Sequence, residues 1–179
     1  MAAIAADSED AWAHTALGSV YSSTRRLDNA LAEFELALQL NPNFSLVQGY
    51  YALALSSSGR WQDSHTAAQR AIRQNPRDPS AAIHYGVAAY AQFVGKNYRE
   101  AIALAREATQ QRGDLTGAYR VLTVAAGIAG KADIAKAALG ELRRTQPSIS
   151  LAWIATQLPW KLDADREHYL DGFRRTGLE

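Results

Sequence analysis

His14, His65, His84 and His168 are the side chains best suited to proton transfer or metal ligation, and they lie far apart in a chain without cysteine. No two are spaced i, i+4, so a zinc site has no local nucleus. Asp163, Asp165, Glu167 and Asp171 invite comparison with a calcium loop, but their spacing is wrong and the required glycine is missing. They read instead as acids that cap and solubilise a last helix. Serines are numerous, yet none stands in a Gly-x-Ser-x-Gly turn. No glycine-rich loop ends in the lysine that would cradle phosphate. Catalytic residues, a metal and a cofactor are therefore not expected.

The 179 residues carry 19 basic and 18 acidic side chains for a formal charge of +1, which gives no general drive toward nucleic acid or an anionic membrane. Zero cysteines exclude a disulfide framework and agree with a reducing compartment. Met1 to Ala6 has no basic flank of a secretory leader, and the longest apolar runs, such as Val121 to Ala129, are too short to span a bilayer. A soluble, cytoplasmic chain without membrane insertion is the expectation. The early start of the pattern and the ending Leu178-Glu179 suggest an excised domain with a vector-derived tail.

The pattern itself is a helical hairpin that recurs. Its clearest copy has Leu17-Gly18-x-x-Tyr21, then Ala30, Phe34, Ala37 and Pro42. The second part returns as Ser64, Ala68, Ala71 and Pro76, then as Ala101, Ala105, Ala108 and Gly113, and again as Ala135, Leu139, Leu142 and Pro147. In the first helices Leu17-Gly18 is matched by Tyr51-Ala52, Tyr85-Gly86 and Leu122-Thr123. Small residues at these places let helices approach closely, and one hairpin alone would leave apolar flanks exposed. Stacking buries them.

These positions and residue types resemble the tetratricopeptide repeat family over roughly residues 11 to 147. The resemblance implies an all-α fold, a right-handed α-α superhelix of antiparallel helix pairs in one domain. Repeats are expected at 11–44, 45–78, 79–115 and 116–149, with a C-terminal helical cap at 150–176.

Along the chain, Asp7 or Ser8 is placed to cap the first helix. Arg25-Arg26 reads as a solvated turn rather than a basic patch, and Leu27, Trp61 and Tyr98 share one place as plugs of the hairpin turns. Asp78 and Pro79 suit the start of the third unit. Its register predicts a turn, Gln92 to Tyr98, three residues longer than its counterparts, either a binding insertion or an extra helical turn with Phe93 covering apolar surface. Gly117 and Gly127 inside one helix suggest close helix contacts or local mobility. In the tail, Trp153, Trp160 and Phe173 either close the last apolar face or form an exposed docking surface.

Registration to the family places a concave groove on the first helices. Its expected lining includes Trp12, Thr15, Ser19, Tyr50, Leu53, His84, Val87, Tyr90, Arg120 and Val124, an aromatic and lightly polar surface suited to an extended or helical protein segment. Trp160 and Phe173 are the candidate partner surface, with weak homodimerisation as one outcome. The tail from Pro147 to Arg174 also looks like the end of repeat regions in bacterial multidomain proteins related to class III adenylate or guanylate cyclases. That resemblance implies an attached upstream domain and a regulatory role, with no cyclase residues in this chain. The expected function is a scaffold for a protein or peptide partner, or for such a domain.

Overall fold

A computed structural model describes residues 10–74, 78 and 80–179. Among them lie ten helices and no strand. They are α1 (Ala11–Ser23), α2 (Leu27–Leu40), α3 (Ser45–Ser57), α4 (Trp61–Gln74), α5 (Ala81–Val94), α6 (Tyr98–Gln111), α7 (Thr116–Ile128), α8 (Ala132–Thr145), α9 (Leu151–Gln157) and α10 (Asp163–Arg174). The first eight pair as antiparallel hairpins, and each hairpin stacks on the next. The result is an all-α superhelix. No helix of the described residues is long and apolar enough to cross a membrane.

Each hairpin turns on one left-handed residue. Arg25 and Lys96 have φ of 62°, Gly59 80° and Gly130 67°. The following amide reaches back five residues, Arg26 to Tyr21, Arg60 to Leu55, Asn97 to Gln92 and Lys131 to Ala126, at 2.8–2.9 Å. Such closure satisfies the carbonyls that a helix end leaves open. Glycine holds that backbone conformation without Cβ strain, whereas Arg25 and Lys96 hold it at a cost of about 1 kcal/mol or more.

The hairpins close because small residues meet large ones. In α2, Leu27, Ala30, Leu31, Phe34 and Ala37 share one buried stripe at helical spacing. Gly18 on α1 faces the Phe34 ring so closely that an added Cβ would lie 2.6 Å from it. Ser64 replaces alanine in the second unit, where its hydroxyl donates to the Ala52 carbonyl at 2.6 Å and accepts from Ser56 at 2.7 Å. The buried polar atoms are thereby paired.

The helix starts sharpen several expectations. Asp10 caps α1 by accepting from the Trp12 amide at 2.8 Å, while Asp7, Ser8, Pro76 and Pro79 lie outside the described residues. Asp78 accepts from the Ser80 amide at 2.7 Å. Leu162 takes the cap position of α10, so Asp163 and Asp165 sit in its first turn instead.

The third unit corrects the sequence register. All four hairpin turns contain three residues, 24–26, 58–60, 95–97 and 129–131, so no insertion lies in 92–98. The extra length falls between α4 and α5, six residues against four before α3 and before α7, and in α5, 14 residues against 13 in α3. Counted back from the turn, Ala89 takes the place of Gly18, and Gly86 does not. Ala89 is fully buried, whereas a Cβ at Gly86 would meet only ordinary contacts, Leu115 at 3.6 Å and Ala118 at 3.7 Å.

The tail leaves the direction of the stack altogether. Instead of closing the face of α8, α9 and α10 form a hairpin in which α10 lies on α7. One apolar cluster thus runs from Ala52 through Tyr90, Phe93 and Val124 to Trp160, Tyr169, Phe173 and Leu178. A second, smaller cluster holds Leu27, Phe34, Val47 and Leu55 in the first two units.

Candidate functional site

Counting back from the start of each second helix gives the equivalent rows of the first helices, on which the groove is expected. Ser19, Leu53, Tyr90 and Val124 form one row, and Thr15, Gly49, Gly86 and Arg120 another. Tyr90 and Arg120 line one cleft together with Leu53, whereas Val124 is fully buried. Val87 is 8% exposed on the neighbouring row and still lines the cleft beside Tyr90. His84 does not join them. Its ring is 1% exposed, Nε2 is 2.7 Å from Ser45 Oγ, and Nδ1 points at the gap left by Gly49. The shifted register of the third unit turns His84 toward α3.

At the amino end the groove is open. Trp12 is 62% exposed with its ring edge on Phe44 at 4.5 Å, and Tyr50 is 41% exposed over Phe34 at 6.0 Å. Thr15 is buried and its hydroxyl is spent on the Ala11 carbonyl at 2.6 Å, whereas Ser19 is half-buried and bonds the Thr15 carbonyl at 2.9 Å. These two hydroxyls are committed to the helix. A cleft of about 250 Å³ follows, lined by Leu53, Ile83, Gly86, Tyr90, Arg120 and, from the tail, Leu158. Arg120 is the charged group among its lining residues. Its guanidinium donates to Gln146 Oε1 at 3.0 Å and lies 4.8 Å from the centre of the Trp153 ring.

Beyond the cleft the groove is filled by the chain itself. Trp160 is 8% exposed and Phe173 is fully buried, so the expected exposed partner surface at these two residues is absent. Tyr169 presents its edge to Tyr90 at 5.9 Å and to Phe93 at 5.6 Å. The His168 ring stacks on Phe93 at 4.8 Å, and its Nε2 is 3.1 Å from the Tyr98 hydroxyl. Gly172 and Gly127 let two helix backbones touch. A Cβ on Gly172 would lie 2.6 Å from Val124 Cβ, and one on Gly127 2.6 Å from the Gly172 carbonyl oxygen. Gly127 makes the close contact its sequence position suggests, while Gly117 has nothing within 4 Å.

Burial sets the electrostatics of this interface. It raises the Tyr90 and Tyr169 hydroxyls well above the ordinary tyrosine range and raises the Asp165 carboxyl. The His168 imidazole is lowered by burial and then by Lys96 and Arg175, against an opposing pull from Asp171 and Asp165. On the outer side, Tyr51 is pushed up to about 12 by burial and its 2.8 Å bond to Glu35.

The nearest approach to nucleophile chemistry is Ser45 with His84. A triad needs the acid on the far nitrogen of the histidine. Asp78 instead lies toward Ser45 and the Ser80 amide, which lower its carboxyl, and His84 Nδ1 has no partner. Ser45, Asp78 and His84 therefore pin α3 to the start of α5. Among the described residues no group of three or more His, Cys, Asp or Glu is placed to hold a metal ion.

Residues 13–44 and 52–115, together more than half of the chain, match family profiles described as Tetratricopeptide repeat. Among solved structures, the chain is similar to PilW, a widely conserved type IV pilus biogenesis factor, with a TM-score of 0.75 and 16% identity over 97% of this chain and 78% of that one. A thermophilic TPR protein from Thermus thermophilus gives 0.71 and 17% over 93% and 90%. YrrB, described as a TPR protein with an unusual peptide-binding site, gives 0.60 and 16% over 97% and 88%. At such identities the likeness is one of fold. No curated protein sequence matches the chain.

Proposed function

The chain belongs to the tetratricopeptide repeat family, and from that premise we propose that it is an interaction scaffold whose concave groove holds a segment of a partner protein. Tetratricopeptide repeats are non-catalytic scaffolds, and this chain is one of them. The observation that carries the groove reading is the cleft of about 250 Å³ between Leu53, Tyr90 and Arg120, with the exposed rings of Tyr50 and Trp12 on the preceding first helices. An apolar trough with one guanidinium suits a helical or extended segment that brings an apolar side chain and an acid.

The test is a selection of displayed helical peptides on the full chain, followed by affinity measurement on variants. Leu53→Arg and Tyr50→Ala are expected to weaken the selected peptides at least about tenfold, a loss of about 1.4 kcal/mol. Arg106→Ala, an exposed change on α6, is expected to leave them unaffected. Peptides that bind the Leu53 and Tyr50 variants as tightly as the parent would show that partners dock elsewhere.

A further inference from the structure

The groove already holds a ligand, and it is the carboxy-terminal hairpin. We propose that α9 and α10 are a built-in occupant of the groove, displaced by a partner helix that presents the same face, two aromatic rings one turn apart with a small residue beside the second. The proposal rests on reading the groove as the partner site and adds the class of partner and its regulation.

The reception of α10 is specific to a helix. Tyr169 and Phe173 stand at i, i+4 on one stripe and are 2% and 0% exposed. Between them, Gly172 brings the α10 backbone against Val124, in a space where any Cβ would collide. A groove that accepts two rings and a bare backbone is shaped to a helical ligand rather than to a flat surface.

The attachment, in contrast, is imperfect. Ser57 Oγ, Tyr90 Oη, Trp160 Nε1 and Asp165 Oδ2 are buried where hairpin and array meet, and none completes a hydrogen bond within the protein. The Tyr90 hydroxyl lies beside Trp160 and Ser57 without reaching bonding geometry. Desolvated polar atoms of this kind oppose docking. The direct polar ties are few: the Lys161 amide to the Ser57 carbonyl at 2.9 Å, the exposed Lys161–Asp28 pair at 2.7 Å, and Tyr98 with His168. Aromatic burial favours the hairpin and the polar cluster works against it, so a partner helix without the half-buried Asp165 would compete on better terms. Because the hairpin is tethered, it competes as an intramolecular ligand and reduces the apparent affinity by the fraction of molecules that are open.

The experiment uses the full chain and a fluorescent synthetic peptide of residues 158–179 as the probe. In the double variant Tyr169→Ala/Phe173→Ala the resident hairpin loses its anchors. The labelled peptide is expected to bind this variant at least about tenfold tighter than the native chain, as it would if fewer than roughly one native molecule in ten is open. Adding Gly127→Leu, which fills the backbone contact, is expected to remove that binding. Equal affinity for the native chain and the double variant overturns the proposal. Should the double variant fail to fold, amide exchange on the native chain decides. The amides of α10 are expected to exchange at least about tenfold faster than those of α5, and equal protection overturns the proposal. Selected peptides that require Leu53 and Tyr50 but bind native chain and double variant alike would leave the groove as partner site and make the hairpin a fixed cap.

Discussion

Replacing Gly172 by alanine sets two known effects against each other. Alanine in a helix interior is favoured over glycine by about 0.8–1 kcal/mol, so α10 taken alone becomes a better helix. The new Cβ, however, would lie 2.6 Å from Val124 Cβ, 2.9 Å from its Cα and 3.0 Å from its carbonyl oxygen. Carbon atoms in contact prefer about 3.5–4.0 Å, so α10 must retreat from α7 by about 1 Å. Two of these three atoms are backbone and cannot swing aside. Overpacking then costs about 2–3 kcal/mol, the upper part of its usual range. The expected net loss is about 1–2 kcal/mol, seen as a lower urea midpoint by circular dichroism and a Tm lower by roughly 2–8 °C. Gly140→Ala is the matched control. Gly140 is an exposed residue of α8 with nothing within 4 Å of a new Cβ, so the same chemical change should stabilise by about 0.5–1 kcal/mol. If Gly172→Ala stabilises as Gly140→Ala does, α10 does not rest on α7 and the occupied groove is wrong.

Other substitutions read other parts of the same interface. Tyr90→Phe removes a buried hydroxyl without a protein partner and should be neutral or stabilising by up to about 1 kcal/mol in urea melts; a loss beyond about 1 kcal/mol would mean the hydroxyl is paired. His168 is held below its ordinary value by burial and then by Lys96, so the docked state binds its proton less readily than the free state. Docking stability from this group is present above about pH 6.5 and is lost as the pH falls. Asp165, raised by burial, works in the opposite sense nearer the carboxylate range, where acid relieves its cost. Amide exchange of α10 should therefore quicken from pH 7 to 5.5 after correction for intrinsic rates, and His168→Gln should flatten that change; a native chain without it would exclude His168 from docking. Phe34→Ala, in the smaller apolar cluster of the first two units, should cost about 3–5 kcal/mol in the same melts. Lys161→Ala breaks an exposed ion pair and should cost no more than about 1 kcal/mol, so a larger effect would reveal a structural role.

The repeat was legible because its residues obey local rules. Ala30, Phe34 and Ala37 sit on one helical stripe, and the same types return at the same offsets. By that register alone Tyr90 and Arg120 fall in rows beside Leu53, with which they line one cleft. It failed where length changed without a sequence mark: the longer connection before α5 and the added residue in that helix turned His84 inward and put Ala89 where Gly86 was expected. The path of the tail was hidden for a different reason. Trp160, Tyr169 and Phe173 require burial, but nothing in their spacing states against which surface. The available signal was the pair Gly127 and Gly172, each a helix-interior glycine that costs stability unless another backbone passes close by.

A stack of hairpins in which each touches only its neighbours can open from an end, one unit at a time. The inward hairpin cancels that freedom. Lys161 reaches Asp28 across 133 residues of sequence and His168 reaches Tyr98 across 70, so the hairpin of α9 and α10 is bonded to the first and third units. Such pairings raise the mean sequence separation of contacts, which slows folding while coupling distant units into one transition. Unfolding of this chain should thus be sharper than repeat arrays of its size allow, and release of the hairpin should return it to the gradual, unit-by-unit melting of an ordinary array.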